Sequence, residues 1–290
     1  MPDKRRLVSR RTVLTSGVVG AAAVGLGLSG DTGTNTERHA VPLADQTNVL
    51  VEQVYSQARE RPVNIVTMFP KGVERQGLPV CLMLHGRFGD ARKSAGGLPT
   101  WLTDSVASRR IPPYAFLAVD GGANSYWHRW PGDDPMSMLL DEVPGWLAER
   151  ELGGSDGQPF AVSGISMGGF GALVYTRRRR EHGNPVKATA VVSPALITNW
   201  PEMNKRRAFA NEAAWAAIDP LRHVRSLGSV PLGVWCGTED RFITGTRRFI
   251  AAAHPEVAST SPGGHNSRYY RKALPELVDF VGRKLATNRS

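Results

Sequence analysis

The feature that most constrains this chain is one unbroken run, Phe160-Ala161-Val162-Ser163-Gly164-Ile165-Ser166-Met167-Gly168-Gly169-Phe170-Gly171-Ala172-Leu173. A short aliphatic stretch, of the kind buried on both faces of a sheet, leads straight into Gly164-Ile165-Ser166-Met167-Gly168. A helical pattern begins at once on the far side. A sharp strand-to-helix turn needs small residues two places before and after its centre, because side chains there would strike the neighbouring backbone. The central residue then stands at the carboxyl edge of a sheet with a helix N-terminus beneath it, where negative charge is favoured. A serine held there is placed to act as a nucleophile. The bland alternative, a glycine-rich turn with an incidental serine, does not account for the strand and helix on either side.

The rest of the chain repeats that alternation. Strands are expected over Val49–Tyr55, Val63–Phe69, Val80–Leu84, Ala115–Val119, Phe160–Ser163, Ala188–Val192, Leu232–Cys236 and Glu256–Thr260. Several are aliphatic throughout rather than alternating, as strands buried on both faces are. Helical patterns fall between them, over Thr100–Arg109, Met136–Arg150, Gly168–Arg180, Glu202–Ala217, Thr244–Ala253 and Arg268–Leu285. The expected fold is α/β: a mostly parallel eight-stranded sheet with helices on both faces and a short cap. One catalytic domain over residues 48–290 is enough for 290 residues.

A hydroxyl of ordinary acidity attacks esters poorly, so a base and a group to orient it are required. On a sheet of this kind they follow the nucleophile in the order Ser, acid, His. Four histidines lie downstream of Ser166. His182 and His254 end helices, and His223 falls in the segment between strands. His265, in Ser261-Pro262-Gly263-Gly264-His265-Asn266, sits in the loop after the final strand, on the edge where the nucleophile points. Leu232–Cys236 runs into Gly237-Thr238-Glu239-Asp240; Asp240 is the expected acid and Glu239 the runner-up. An oxyanion hole would pair the amide of Met167 with that of Arg87, in the loop Leu84-His85-Gly86-Arg87 that ends another buried strand. His85 and Gly86 would then border the substrate, His85 more as a structural group than as a second base. Trp127, Trp200, Phe209 and Trp215 are candidates for the wall of an acyl pocket. The segment between Val192 and Leu232 is too short for a large lid, so the site should be open.

With these residues in place the chain resembles the putative-esterase branch of the α/β-hydrolases, which includes esterase D (S-formylglutathione hydrolase), feruloyl esterase modules and secreted mycolyltransferases. The resemblance rests on Leu82–Gly86, on Gly164–Gly169, on Trp235–Asp240 and on Gly263–His265, and covers roughly residues 48–285. A further stretch, Val119-Asp120-Gly121-Gly122 through Ser125-Tyr126-Trp127-His128, resembles the loop that walls the active site in such proteins. The resemblance implies an acyl-ester substrate and a triad of Ser166, Asp240 and His265. Two features depart from it. Mycolyltransferases carry glutamate as the acid, where this chain has Asp240, and esterase D proteins are cytosolic, whereas this chain begins with an export signal.

That segment, an export signal or an N-terminal anchor, occupies residues 1–30. Lys4, Arg5, Arg6, Arg10 and Arg11 precede an uncharged run from Thr12 to Gly30, and Ser9-Arg10-Arg11-Thr12-Val13-Leu14 resembles a twin-arginine motif. Residues 31–47 are polar, lack periodicity and read as a linker. The expected location is therefore extracytoplasmic, with membrane or cell-envelope association through the N-terminus. The formal charge of +10 leaves 31 basic and 25 acidic residues beyond position 30, a balance of +6. A mildly basic body favours anionic surfaces, but no nucleic-acid module is present, so nucleic acid is not an expected partner. Cys81 and Cys236 both fall in central strands and are expected as buried free thiols. No metal-ligand cluster or phosphate-cradling loop occurs, so neither metal nor cofactor is expected. The reading is an exported serine esterase acting on a small-molecule or lipid-like ester. An acyltransferase to an envelope sugar or alcohol with the same triad, and a non-catalytic envelope-binding protein on the same scaffold, are its rivals. The oligomeric state stays open.

Overall fold

The computed structural model describes residues 48–94 and 96–286; the export signal expected over residues 1–30 and the linker over 31–47 lie outside them. Val49–Ser56 (β1), Arg61–Met68 (β2), Val80–Leu84 (β3), Ala115–Val119 (β4), Ala161–Ile165 (β5), Ala188–Val192 (β6), Leu232–Gly237 (β7) and Val257–Ser261 (β8) form one sheet, ordered β1-β2-β4-β3-β5-β6-β7-β8. β2 runs antiparallel to both of its neighbours, β1 and β4, and every other pair is parallel. Every residue of β3, β4, β6 and β7 is buried, as the covered interior of a parallel sheet requires. β8 alternates between exposed and half-buried residues because it is the edge.

The helices are Ala91–Ser94 (α1), Leu98–Ala107 (α2), Pro135–Ser137 (α3), Val143–Ala148 (α4), Met167–Glu181 (α5), Trp200–Asn204 (α6), Glu212–Ala216 (α7), Ile243–Ala253 (α8) and Ser267–Ala286 (α9). They divide the core into two layers. In β3, Val80, Leu82 and Leu84 face the layer built by Phe170 and Leu173 of α5 with Val143 and Leu147 of α4. Cys81 and Met83 face the opposite layer, which holds Leu98 and Leu102 of α2 and Leu274, Leu277, Val278 and Val281 of α9. This is the two-residue period of a strand buried on both sides.

Two expected helices are interrupted. Met136–Arg150 is not one helix: a π-helical turn, Met138–Glu142, separates α3 from α4. Pro144 has no N–H to give, and its ring would meet the Leu140 carbonyl in an unbroken α-helix. The turn widens instead, and the Val143 N–H donates to the Met138 carbonyl. Glu202–Ala217 likewise splits into α6 and α7. Arg207 takes a left-handed φ of 51°, and the Asn211 side chain accepts from the Ala214 N–H to start a new helix. The expected cap is thus two short helices on a folded-back segment.

Chain order reverses between β3 and β5: β4 lies on one side of β3 and β5 on the other. Loops leaving the carboxyl ends of two such strands diverge and leave a crevice, where ligands of open α/β sheets bind. The loops carrying Gly86 and Ser166 flank that crevice.

Cys81 and Cys236 are buried and free. Their strands, β3 and β7, stand three positions apart, about 14 Å at ordinary strand spacing and beyond disulfide reach. Burial pushes the Cys236 thiol up to about 11 and the Cys81 thiol higher still. At pH 8 neither is appreciably thiolate, the reactive form. A thiol reagent should therefore leave the native protein nearly untouched and titrate two sulfhydryls once it is unfolded without reductant. Rapid native labelling, or fewer than two thiols after unfolding, would contradict this arrangement.

Candidate active site

β5 ends in Ile165, and Ser166 follows with φ 58° and ψ −118°, a left-handed conformation rare for a residue with a side chain. Its surroundings hold it there. The Ser166 N–H donates to the Val192 carbonyl at 3.0 Å, and the Ser166 carbonyl accepts from Phe170 and Ala195 at 3.1 and 2.9 Å. A Cβ on Gly164 would overlap the Gly168 carbonyl, and one on Gly168 would overlap the Leu84 carbonyl. The glycines of the motif are a packing requirement of the elbow, and Ser166 stands at the N-terminus of α5.

Ser166 Oγ lies 2.9 Å from His265 Nε2. His265 Nδ1 lies 2.8 Å from Asp240 Oδ2, and the other oxygen, Oδ1, accepts from the Phe242 N–H at 2.8 Å. A carboxylate only accepts, so the His265 proton sits on Nδ1 and the Nε2 lone pair faces the serine hydroxyl. Burial opposes charge on Asp240, but hydrogen bonds from His265 and Phe242 outweigh it and hold the carboxyl below its ordinary range. Glu239, the alternative acid, is exposed, and its backbone N–H donates to the Gly263 carbonyl. With the Thr238 N–H on the Ser261 carbonyl, that bond ties the loop after β7 to the loop after β8. The Phe242 and Tyr270 rings meet the His265 ring edge-on at 4.9 and 5.4 Å and fix its plane.

Gly86 lies beside the nucleophile: a Cβ on it would sit 3.3 Å from the Ile165 carbonyl oxygen and 3.4 Å from Ser166 Cβ. The amides of Arg87 and Met167, expected as an oxyanion hole, donate to no acceptor among the described residues. His85 explains the aim of the first. Its Nδ1 donates to the Gly86 carbonyl at 2.9 Å and its Nε2 accepts from the Gly121 N–H at 2.9 Å. Pinning the carbonyl of a planar trans peptide turns the N–H of the same unit, that of Arg87, the opposite way. Burial outweighs the groups favouring protonation and lowers the His85 pKa, so the ring stays neutral and serves as a brace. Trp127 is wholly buried, donates through Nε1 to the His85 carbonyl at 3.3 Å, and packs where a Cβ on Gly121 or Gly171 would go.

These residues open onto a cleft of about 500 Å³. His85 and Gly86 line it, as expected. Trp127, Trp200, Phe209 and Trp215 do not, which corrects the expectation that they wall an acyl pocket. Trp127, in the loop after β4, is buried under His85, and the segment after β6 folds back so that Phe209 and Trp215 join the α5 layer with Trp200 packed against it. Trp200 and Trp215 stack at 6.2 Å, and Phe209 lies 4.4 Å from the His128 ring and against Tyr126. The rings at the site are Phe88, Tyr126, Phe242 and Tyr270, with the basic side chains of Arg206 and Arg241. Sequence reasoning placed Tyr126 in a loop resembling an active-site wall and missed the others. Phe242, two residues beyond the acid, and Tyr270, on the first turn after the histidine, were the available signals.

A mostly parallel sheet that presents a serine on a left-handed elbow, within reach of a histidine and an aspartate from later loops, defines an α/β-hydrolase. The chain belongs to the family described as "Putative esterase", whose model matches residues 56–281, and it is a serine hydrolase of carboxylic esters. Among solved structures it is similar to a ferulic acid esterase at 20% identity and a TM-score of 0.67, covering 81% of this chain and 98% of that one. An S-formylglutathione hydrolase from Agrobacterium tumefaciens is similar at 16% identity, with a TM-score of 0.64 and coverage of 82% and 95%. MPT51 of Mycobacterium tuberculosis is 17% identical, with a TM-score of 0.59 and coverage of 81% and 98%. No curated protein sequence matches the chain.

Proposed function

We propose that the protein hydrolyses carboxylic esters through an acyl-enzyme on Ser166, with His265 as general base and Asp240 as its orienting acid. The observation that carries this reading is the line of hydrogen bonds from Ser166 through His265 to Asp240, at 2.9 and 2.8 Å, facing an open cleft. Ser166 Oγ attacks the ester carbonyl while His265 Nε2 takes its proton. The carbonyl oxygen, now negative, lies against the N–H groups of Met167 and Arg87. The imidazolium returns the proton to the departing alcohol. Water then repeats the sequence on the acyl-enzyme, releasing the acid and free Ser166. Asp240 keeps its charge throughout and stabilises the imidazolium. The N-terminal residues support action outside the cytoplasm, after export by the twin-arginine route.

Fluorophosphonates phosphonylate a serine that is both activated and faced by an oxyanion hole. Wild-type protein should take up one equivalent, mapped to the peptide containing Ser166, and Ser166→Ala should take up none. An unlabelled wild type, or label on another residue, would sink the reading.

A further inference from the structure

The cleft is lined by Arg87, Lys93, Arg206 and Arg241, and by no carboxylate side chain. Lys93 is compensated, with its Nζ 3.2 Å from Asp90 Oδ2. The three arginines have no acidic partner among the described residues. Elsewhere in the protein, several buried or half-buried arginines are matched by a carboxylate: Arg59 with Asp133 at 2.7 Å, Arg150 with Glu52 at 3.0 Å, and Arg177 with Glu181 at 3.4 Å.

The Arg87 side chain and the Arg206 backbone are tied together, and Arg206 and Arg241 both approach one ring. Arg87 Nε donates to the Asn124 side-chain oxygen at 2.7 Å, and the Asn124 amide donates to the Arg206 carbonyl at 2.8 Å. The Arg206 and Arg241 guanidinium carbons lie 5.7 and 5.8 Å from the centre of one ring, Phe242. The Arg206 Nε–H is buried and has no acceptor among the described residues. The Tyr126 hydroxyl, raised by burial, feels a lowering field from Arg206, Arg87 and Arg241 alike, so the three charges surround one region of the cleft. Two cations sharing a ring, one with a buried unmatched donor, repel each other until an anion sits between them. Phe242 is also the ring against His265, so an anion held there lies near the reacting ester.

Building on the esterase reading above, we propose that the preferred substrate is an anionic ester, whose carboxylate or similar oxyanion is bound by Arg206 and Arg241 beside Phe242, with Arg87 adding to the field. Planar guanidiniums suit such oxygens because they donate through paired N–H groups. The positive balance of the chain beyond the signal would draw such a substrate in, an effect that salt screens.

The test compares esters with and without a negative charge at equal length, with the same leaving group in the first pair. One pair puts the charge on the acyl side: the nitrophenyl monoester of glutaric acid against nitrophenyl valerate. The other puts it on the alcohol side: 4-acetoxybenzoate against its methyl ester. Enzyme-free rates are subtracted. The readout is the ratio of kcat/KM, anionic over neutral, within one protein preparation, so that a general loss of activity or folding cancels. At least one pair should show a ratio of about tenfold or more at low salt, shrinking in 0.5 M sodium chloride. The ratio should fall towards one in Arg206→Gln/Arg241→Gln and be partly retained in Arg206→Lys/Arg241→Lys. A ratio near one for both pairs in the wild type overturns the inference, and so does a preference that survives the double glutamine variant. If neither neutral nor anionic esters turn over and the fluorophosphonate does not label, the esterase reading itself has failed.

Discussion

Ser166→Ala and His265→Ala should each lower kcat against a nitrophenyl ester by a factor on the order of 10³ or more, while both proteins stay folded. The two losses should not multiply in the double variant. Without the hydroxyl there is no proton for His265 to take, and without the imidazole nothing activates the hydroxyl. Asp240→Asn should cost less than either but remain large. Asparagine presents an NH₂ or a neutral oxygen to Nδ1 and no longer stabilises the imidazolium. Glu239→Gln should be near wild type, because Glu239 is exposed and is engaged only through its backbone. Steady-state kinetics on the four single variants and the double variant decide the matter. Full activity in Asp240→Asn with loss in Glu239→Gln would overturn the assignment of the acid.

Gly168→Ala should be among the most damaging single-methyl additions the protein can suffer. The new Cβ would overlap the Leu84 carbonyl and lie 2.8 Å from the His85 carbonyl oxygen, backbone atoms that cannot rotate aside. Relief requires α5 to move away from the end of β3, which separates the Met167 amide from the Arg87 amide as well. We expect a loss of roughly 3 kcal/mol or more, a fall of about 10 °C in Tm for a domain of this size, and a steep drop in kcat in whatever remains folded. Gly145→Ala is the matched control. It lies in α4 with open space around the added methyl, so it should be neutral or stabilising by up to about 1 kcal/mol. Thermal melts of both variants provide the measurement; equal Tm values would show that the close approach at Gly168 can relax.

Much of this architecture is legible in the residues because the strands are short, apolar and buried on both faces. Each loop at the carboxyl edge therefore follows directly from where its strand stops. Ser166, Asp240 and His265 could be picked out on that basis alone, since each follows a strand within a few residues. What sequence does not reveal is which side of a helix a bulky ring will face once the chain folds back. Trp200, Phe209 and Trp215 look like pocket walls in a linear reading, yet burial in the α5 layer claims them first. Pro144 and Arg207 interrupt helices whose apolar spacing is otherwise unbroken, one by lacking a donor and the other by its left-handed backbone. Arg206 and Arg241 lie 35 residues apart and both approach Phe242, a juxtaposition that no local pattern encodes.

The distances along the chain between the reacting groups also set when activity can arise. Ser166 and His265 are 99 residues apart, and His265 is 25 residues beyond Asp240. A nascent chain complete through β6 already carries the strained elbow but has neither base nor acid. The base reaches the serine only after β8 has paired with β7 and the two loops have been stitched together at Thr238 and Glu239. The nucleophile is thus chemically silent during most of synthesis, and turnover reports that the last strand has docked. For a chain read as travelling folded through a twin-arginine pore, ester cleavage would serve as a built-in certificate of completed folding.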